Sequence, residues 1–187
     1  LKDYIREHGP PIGILSDNAK SEIGAKWTEV LRNNMIKTRT SEPHNPHQNY
    51  AEPEWGRLSK MVQNNLRVFN APIGLSNWCA LYMCQVNNHV SRASLNHKTP
   101  EEISTRRTPD ISKFRFHFYE PLWFLEPKIK TPKSNLLKAR FLALADSCGD
   151  AMTYYILTEP DPPKRSQVLM RSVVRTRREN IGMQTEY

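Results

Sequence analysis

Apolar positions along the chain fall first at helical spacing and later at strand spacing. Trp55, Leu58, Val62, Leu66 and Phe69 make one stripe with Arg57, Lys60 and Arg67 off it, which predicts an amphipathic helix. Ile23, Trp27, Val30 and Leu31 make an earlier stripe, with Ser21 placed to cap its helix. These are the strongest apolar faces of the first half, so Trp55, Leu58, Val62 and Leu66 are expected to be buried, partly against the helix carrying Trp27. Gly9-Pro-Pro-Ile-Gly13 breaks an opening helix and launches a short strand from Ile12 to Ser16. Met35 to Thr40 leans towards a second strand, and Glu42 to Gln48 is a loop dense in Pro, His and Asn. Asn70-Ala-Pro-Ile-Gly74 ends the long helix. A further helix from Asn77 to Val90 carries Trp78, Leu81, Met83, Cys84 and Val86. Thr99 followed by Pro100 reads as a cap and first helical residue.

After Pro109 the period changes. Phe114, Phe116, Phe118 and Tyr119 alternate towards Trp123 to Leu125. Ala139 to Ala145, Thr153 to Leu157 and Val168 to Val174 follow as strand candidates, parted by Gly149-Asp150 and Asp161-Pro-Pro-Lys164. Several short strands with turn signals predict a small β-barrel or curled sheet. The expected organisation is α/β over residues 1–108 and a basic, mostly-β module over 109–187, without internal repeats.

Composition narrows the class. At 187 residues and 38% hydrophobic content the chain can bury one good core, and 25% charged residues argue against wholesale disorder. No apolar run approaches membrane-spanning length, so no membrane association is expected. The net charge of +8 favours a polyanionic partner. Cys79, Cys84 and Cys148 lack metal-type spacing; Cys79 and Cys84 lie in an apolar helical stretch and are expected to be buried thiols in a reducing setting. His44 and His47 do not complete a zinc site with them.

The candidate chemistry lies in two carboxylates. Asp17 closes the first apolar strand, and Glu52 follows the Pro-rich loop at the start of the long helix. Two-metal polynucleotide transferases are built this way, with carboxylates from separate segments brought to one sheet edge. The plainer reading makes Asp17 a turn residue and Glu52 a helix-start acid, the latter in a capping box with Asn49.

Ser16-Asp17-Asn18, Pro43-His-Asn-Pro-His-Gln-Asn-Tyr-Ala-Glu52, Ser94-Leu-Asn-His-Lys-Thr-Pro-Glu101 and Arg107-Thr-Pro-Asp-Ile-Ser-Lys-Phe114 occur in that order. Together they resemble the integrase region of copia-type retrotransposon polyproteins, and Arg171-Ser-Val-Val174 resembles the closing strand of its Src-homology-like β-barrel. The resemblance covers nearly the whole chain. It implies a partial ribonuclease-H-like core followed by that barrel, and DNA integration by in-line attack on phosphodiesters. It further implies Mg²⁺ or Mn²⁺ held by an acidic triad, of which Asp17 and Glu52 match the second and third members. DNA, other integrase protomers and a nuclear location follow by the same route. Arg57, Lys60 and Arg67 are candidate phosphate contacts on the catalytic helix; Lys128, Lys130, Lys133, Lys138 and Arg140 would give the second module a non-specific grip.

Three features set further expectations. Only 16 residues precede Asp17, so the chain is read as a fragment whose first acid lies upstream. The gap between Asp17 and Glu52 holds 34 residues, one fewer than is usual in that group. Pro53 should occupy the first helical position, leaving Glu52 as a flanking residue and Glu54 as an alternative acid. The expected behaviour is DNA binding without catalysis by this chain alone. The alternatives are a non-catalytic nucleic-acid-binding remnant and a metal-dependent nuclease of the same fold.

Overall fold

A computed structural model describes residues 1–16, 24–42, 50–126, 136–148, 152–160 and 165–177. They form a mixed α/β structure that divides into two compact units, Leu1–Arg57 and Leu58–Tyr187.

The first unit opens with α1 (Lys2–His8), ended by Gly9 at a positive φ of 81°. Then come β1 (Gly13–Ser16), α2 (Ala25–Asn33) and β2 (Lys37–Thr40), close to where the apolar pattern put them. β1 and β2 pair in parallel, Gly13 opposite Lys37 and Ser16 opposite Thr40. The helix between them supplies the crossover that a parallel pair requires. Leu31 and Ile36 are buried here, and the Ile36 N–H donates to the Leu31 carbonyl at 2.9 Å, fixing the tight turn from helix to strand. Ser21 and Ile23 lie outside the described residues.

The long helix α3 (Ala51–Val68) begins in the first unit and continues into the second. It ends as the sequence predicts. Asn70 takes a left-handed φ of 48°, the Ala71 N–H donates to the Leu66 carbonyl at 2.9 Å, and Pro72 prevents continuation. The expected burial of its stripe holds only downstream. Val62 and Leu66 are buried and Leu58 is half-buried, but Trp55 is 67% exposed. Periodicity fixes the direction of a side chain, and burial needs something opposite it. Val62 and Leu66 have α4 (Ser76–Asn88) opposite: the Cys79 thiol lies 3.9 Å from the Val62 carbonyl, and Asn65 donates to the Met83 sulfur at 3.2 Å.

On α4 the buried residues are Cys79, Tyr82 and Met83. Cys84 is exposed, against expectation, because five residues at about 100° each rotate it well away from Cys79. Burial raises the Cys79 thiol to a pKa of about 11, which leaves it protonated and unreactive at neutral pH. The helix α5 (Pro100–Thr105) starts as predicted, with the Thr99 hydroxyl accepting from the Glu102 N–H at 3.0 Å.

The aromatic run from Phe114 to Tyr119 alternates as expected, with Phe116 and Phe118 buried, yet it is not a strand. Its polar groups bond elsewhere. Tyr82 donates to the Phe116 carbonyl at 2.8 Å, and Tyr119, at a positive φ of 61°, donates its N–H to Phe141 at 2.8 Å. The true strands are β3 (Pro121–Leu125), β4 (Leu136–Leu144), β5 (Tyr154–Thr158), β6 (Val168–Arg171) and β7 (Val174–Thr176). They form an antiparallel sheet in the order β6-β5-β4-β3-β7.

That order makes the sheet curl. β6 and β7 are its two edges, yet only Ser172 and Val173 separate them in sequence. Edges of a flat five-stranded sheet would stand about 19 Å apart at ordinary strand spacing. The three peptide links from Arg171 to Val174 reach at most about 11 Å. The sheet must therefore roll until its edges approach; the Leu125 N–H bond to the Val173 carbonyl at 3.3 Å carries the β3–β7 pairing up to that short link. Phe116, Phe118, Leu122, Phe124, Phe141 and Tyr154 fill the core with Val62, Leu66 and the buried face of α4. A register shift between Phe141 and Ala143 lets consecutive residues of β4 be buried.

Candidate functional site

Asp17 lies outside the described residues, as do Asn49 and the cations Lys128, Lys130 and Lys133. What leads to Asp17 is described. β1 ends at Ser16, whose carbonyl accepts from the Ser41 N–H at 2.9 Å and from its hydroxyl at 3.3 Å. Because β1 and β2 are parallel with Ser16 opposite Thr40, both strands leave the pair at one edge. One exit leads to Asp17, the other into the segment that ends at α3.

Glu52 is an exposed helical residue in the first turn of α3, together with Glu54. This corrects the expectation that Pro53 would push it out of the helix. The N–H groups of a helix's first turn have no intrahelical partner, so proline there removes no bond. Both acids lie in the helix's first turn, where acidic side chains are commonly placed. Glu54 is occupied: Arg57 donates to its Oε2 from Nη2 at 2.7 Å and from Nε at 3.1 Å. No described residue bonds the Glu52 carboxylate, so its oxygens are open to an external ligand. Among the described residues no three His, Cys, Asp or Glu side chains gather at one point.

The helix cations form one face. At about 100° per residue, Arg57, Lys60 and Arg67 fall within roughly 80° of one another, turned away from Val62 and Leu66. Lys60 and Arg67 are exposed; Arg57 is half-exposed and shares its charge with Glu54.

In the second unit the expected cations divide. Lys138 is exposed. Arg140 has structural work: its Nε lies 3.5 Å from Glu159 Oε1, and its guanidinium sits 5.1 Å from the centre of the Tyr119 ring. Glu159 also accepts from Arg177 at 2.9 Å, and that guanidinium lies 5.9 Å from the Trp123 ring centre. Sequence reasoning missed Trp123 and Arg175 as surface groups. Strand register was the signal that could have found them, since Trp123 pairs with Arg175 on one side and Lys138 on the other.

No family model matches the chain, and no curated protein matches it. Among solved structures it is similar to a chain in the cryo-EM structure of the simian T-cell lymphotropic virus intasome in complex with PP2A regulatory subunit B56 gamma. The identity is 16% and the TM-score 0.46, over 94% of this chain and 61% of that one. The present chain thus spans about three-fifths of that chain's length. A likeness at this level assigns neither family nor activity.

Proposed function

We propose that this polypeptide is a fragment of a copia-type retrotransposon integrase, the C-terminal half of its catalytic core with the β-module that follows, and binds DNA through distributed cations. Its residues 1–108 belong to a ribonuclease-H-like catalytic core and 109–187 to a Src-homology-like β-module. Asp17 and Glu52 are the metal-holding carboxylates of this segment; a third acid from elsewhere in the intact protein completes the set. The protein works in the nucleus with other protomers on DNA.

The observation that carries the reading is the arrangement around β1 and β2. In open sheets of parallel strands, ligands bind beyond the carboxyl ends. Asp17 is the first residue past such an end, and Glu52 follows the exit from the neighbouring strand with an open carboxylate. Hard oxygen donors of this kind suit Mg²⁺ or Mn²⁺, with water and substrate phosphates completing the shell. Bound there, such ions supply charge stabilisation for in-line displacement at a phosphodiester. The chain's own part is to hold Glu52 in a defined helix turn and to grip the phosphate backbone with Lys60 and Arg67. Two protein carboxylates control metal geometry poorly, so this chain alone binds without turning over.

The test is an end-cleavage and strand-transfer assay in Mg²⁺ and Mn²⁺, run beside Asp17→Asn, with duplex affinity measured across a salt series. The expected result is no turnover and a log affinity that falls linearly with log salt. Turnover abolished by Asp17→Asn would show a complete site in this chain and refute the fragment reading. Salt-insensitive binding would remove the nucleic-acid assignment.

A further inference from the structure

The mouth of the curled sheet holds a cavity of about 430 Å³. Its walls come from the end of β3, the start of β4, the end of β5 and the residues entering β6. Trp123, Leu137 and Leu169 give it apolar surface. Two acids also reach it, and both are already neutralised. Glu126 accepts from Arg171 at 3.1 Å, and Glu159 is shared by Arg177 at 2.9 Å and Arg140 at 3.5 Å. Lys138, Arg165 and Gln167 line the same cavity, are exposed, and have side chains bonded to no described residue. Arg175 stands directly across the strand pair from Trp123.

We infer that this mouth is a nucleotide-binding subsite for single-stranded nucleic acid. Trp123 offers aromatic surface to a base, the Gln167 amide faces its polar edge, and Lys138 and Arg165 hold the flanking phosphates. Several features favour that occupant. The volume lies within the range of small-ligand sites, and barrel mouths are a common place for them. An aromatic surface beside uncompensated cations is the pattern that binds single strands without sequence preference, because every base has a π-face and every link a charge. A duplex keeps its bases stacked inside and cannot use Trp123 in this way. The inference rests on the nucleic-acid reading above and adds a strand form and a place.

The test uses the 187-residue chain and a fluorescein-labelled oligothymidine of about 10 nucleotides, a length within single-strand site sizes. A duplex, dTMP and poly-glutamate serve as competitors. Trp123→Leu, which keeps apolar bulk but removes the ring, should weaken oligothymidine binding about tenfold and leave the salt slope unchanged. The Lys138→Ala, Arg165→Ala pair, on exposed positions, should reduce that slope by about 1.4. The Lys60→Ala, Arg67→Ala pair should weaken the duplex more than the single strand. Trp123→Leu within twofold of wild type overturns the inference, as does full competition by poly-glutamate, which would mark a generic polyanion site. Competition by dTMP at oligomer-like concentration overturns the strand assignment in favour of a free nucleotide. If Trp123→Leu fails to fold by circular dichroism, an unchanged slope in the Lys138, Arg165 pair overturns the inference by itself. A wild-type chain that binds the duplex but not the oligothymidine sinks only the inference; absence of wild-type binding to any nucleic acid sinks the underlying reading too.

Discussion

Gln85 on α4 engages the backbone of Leu144 on β4 from both sides. Its Nε2 donates to the Leu144 carbonyl at 2.9 Å and its Oε1 accepts from the Leu144 N–H at 3.1 Å. One amide side chain thereby does for β4 what a neighbouring strand would do, just beyond the register shift at Phe141/Ala143. The same Nε2 reaches Asp146 at 2.6 Å. Replacing Gln85 with Leu strands two backbone groups at a packed surface, at a cost of about 2–3 kcal/mol. Urea unfolding should show a lower midpoint at unchanged slope; a loss below about 0.5 kcal/mol would show the pair to be idle.

Alkaline pH should loosen the second unit in a defined order. The Cys79 thiol rises from 9.0 to about 11 through burial, and the Tyr82 phenol from 10.0 to about 12 through burial and the nearby Glu120 charge. Both groups are neutral in the folded core, so the stability they contribute is complete below their ordinary pKa values. It is lost as the unfolded chain ionises first: from pH 9.0 to about 11 for Cys79 and from 10.0 to about 12 for Tyr82. Tyr82→Phe should lose about 1 kcal/mol at neutral pH with its bond to Phe116. The variant should also have a shallower decline above pH 10. Parallel stability–pH curves for the two proteins would contradict this assignment.

Glu159 sits between Arg140 and Arg177 with all three side chains less than one-third exposed. Glu159→Gln removes the acid that Arg140 and Arg177 share and raises the repulsion between their guanidiniums, and about 1–2 kcal/mol of stability should go with it. Salt screens that repulsion, so added NaCl should restore part of the loss in the variant and little in the parent. Thermal melts at low and high salt decide it; an equal response in both proteins would show that the acid carries no charge balance there.

Legibility in the sequence followed locality. Thr99-Pro100 fixed a helix start through a cap and a ring constraint that act within one turn. Asn70 to Gly74 fixed a helix end in the same way. Trp55 failed because the stripe says which way a side chain points and nothing about whether another element stands opposite it. Cys84 failed for the related reason that an apolar stretch was read as uniformly buried, although its angle from Cys79 turns it outward. Phe114 to Tyr119 carried the alternation of a strand without its ladder, since the partners are the Tyr82 hydroxyl and the Phe141 backbone, both remote in sequence. At the candidate site, Glu52 was legible as a helix-start acid, but the prediction about Pro53 overlooked that the whole first turn lacks hydrogen-bond partners.

The most direct test of the central claim is a crystal structure of this chain grown with Mn²⁺ and a short DNA duplex, read by anomalous scattering. The expected result is a Mn²⁺ peak between the carboxylates of Asp17 and Glu52, which should stand about 5–9 Å apart at the carboxyl edge of β1 and β2. Carboxylates directed to opposite edges, or Mn²⁺ bound elsewhere with both acids unliganded, would contradict the assignment of these residues as a metal-holding pair.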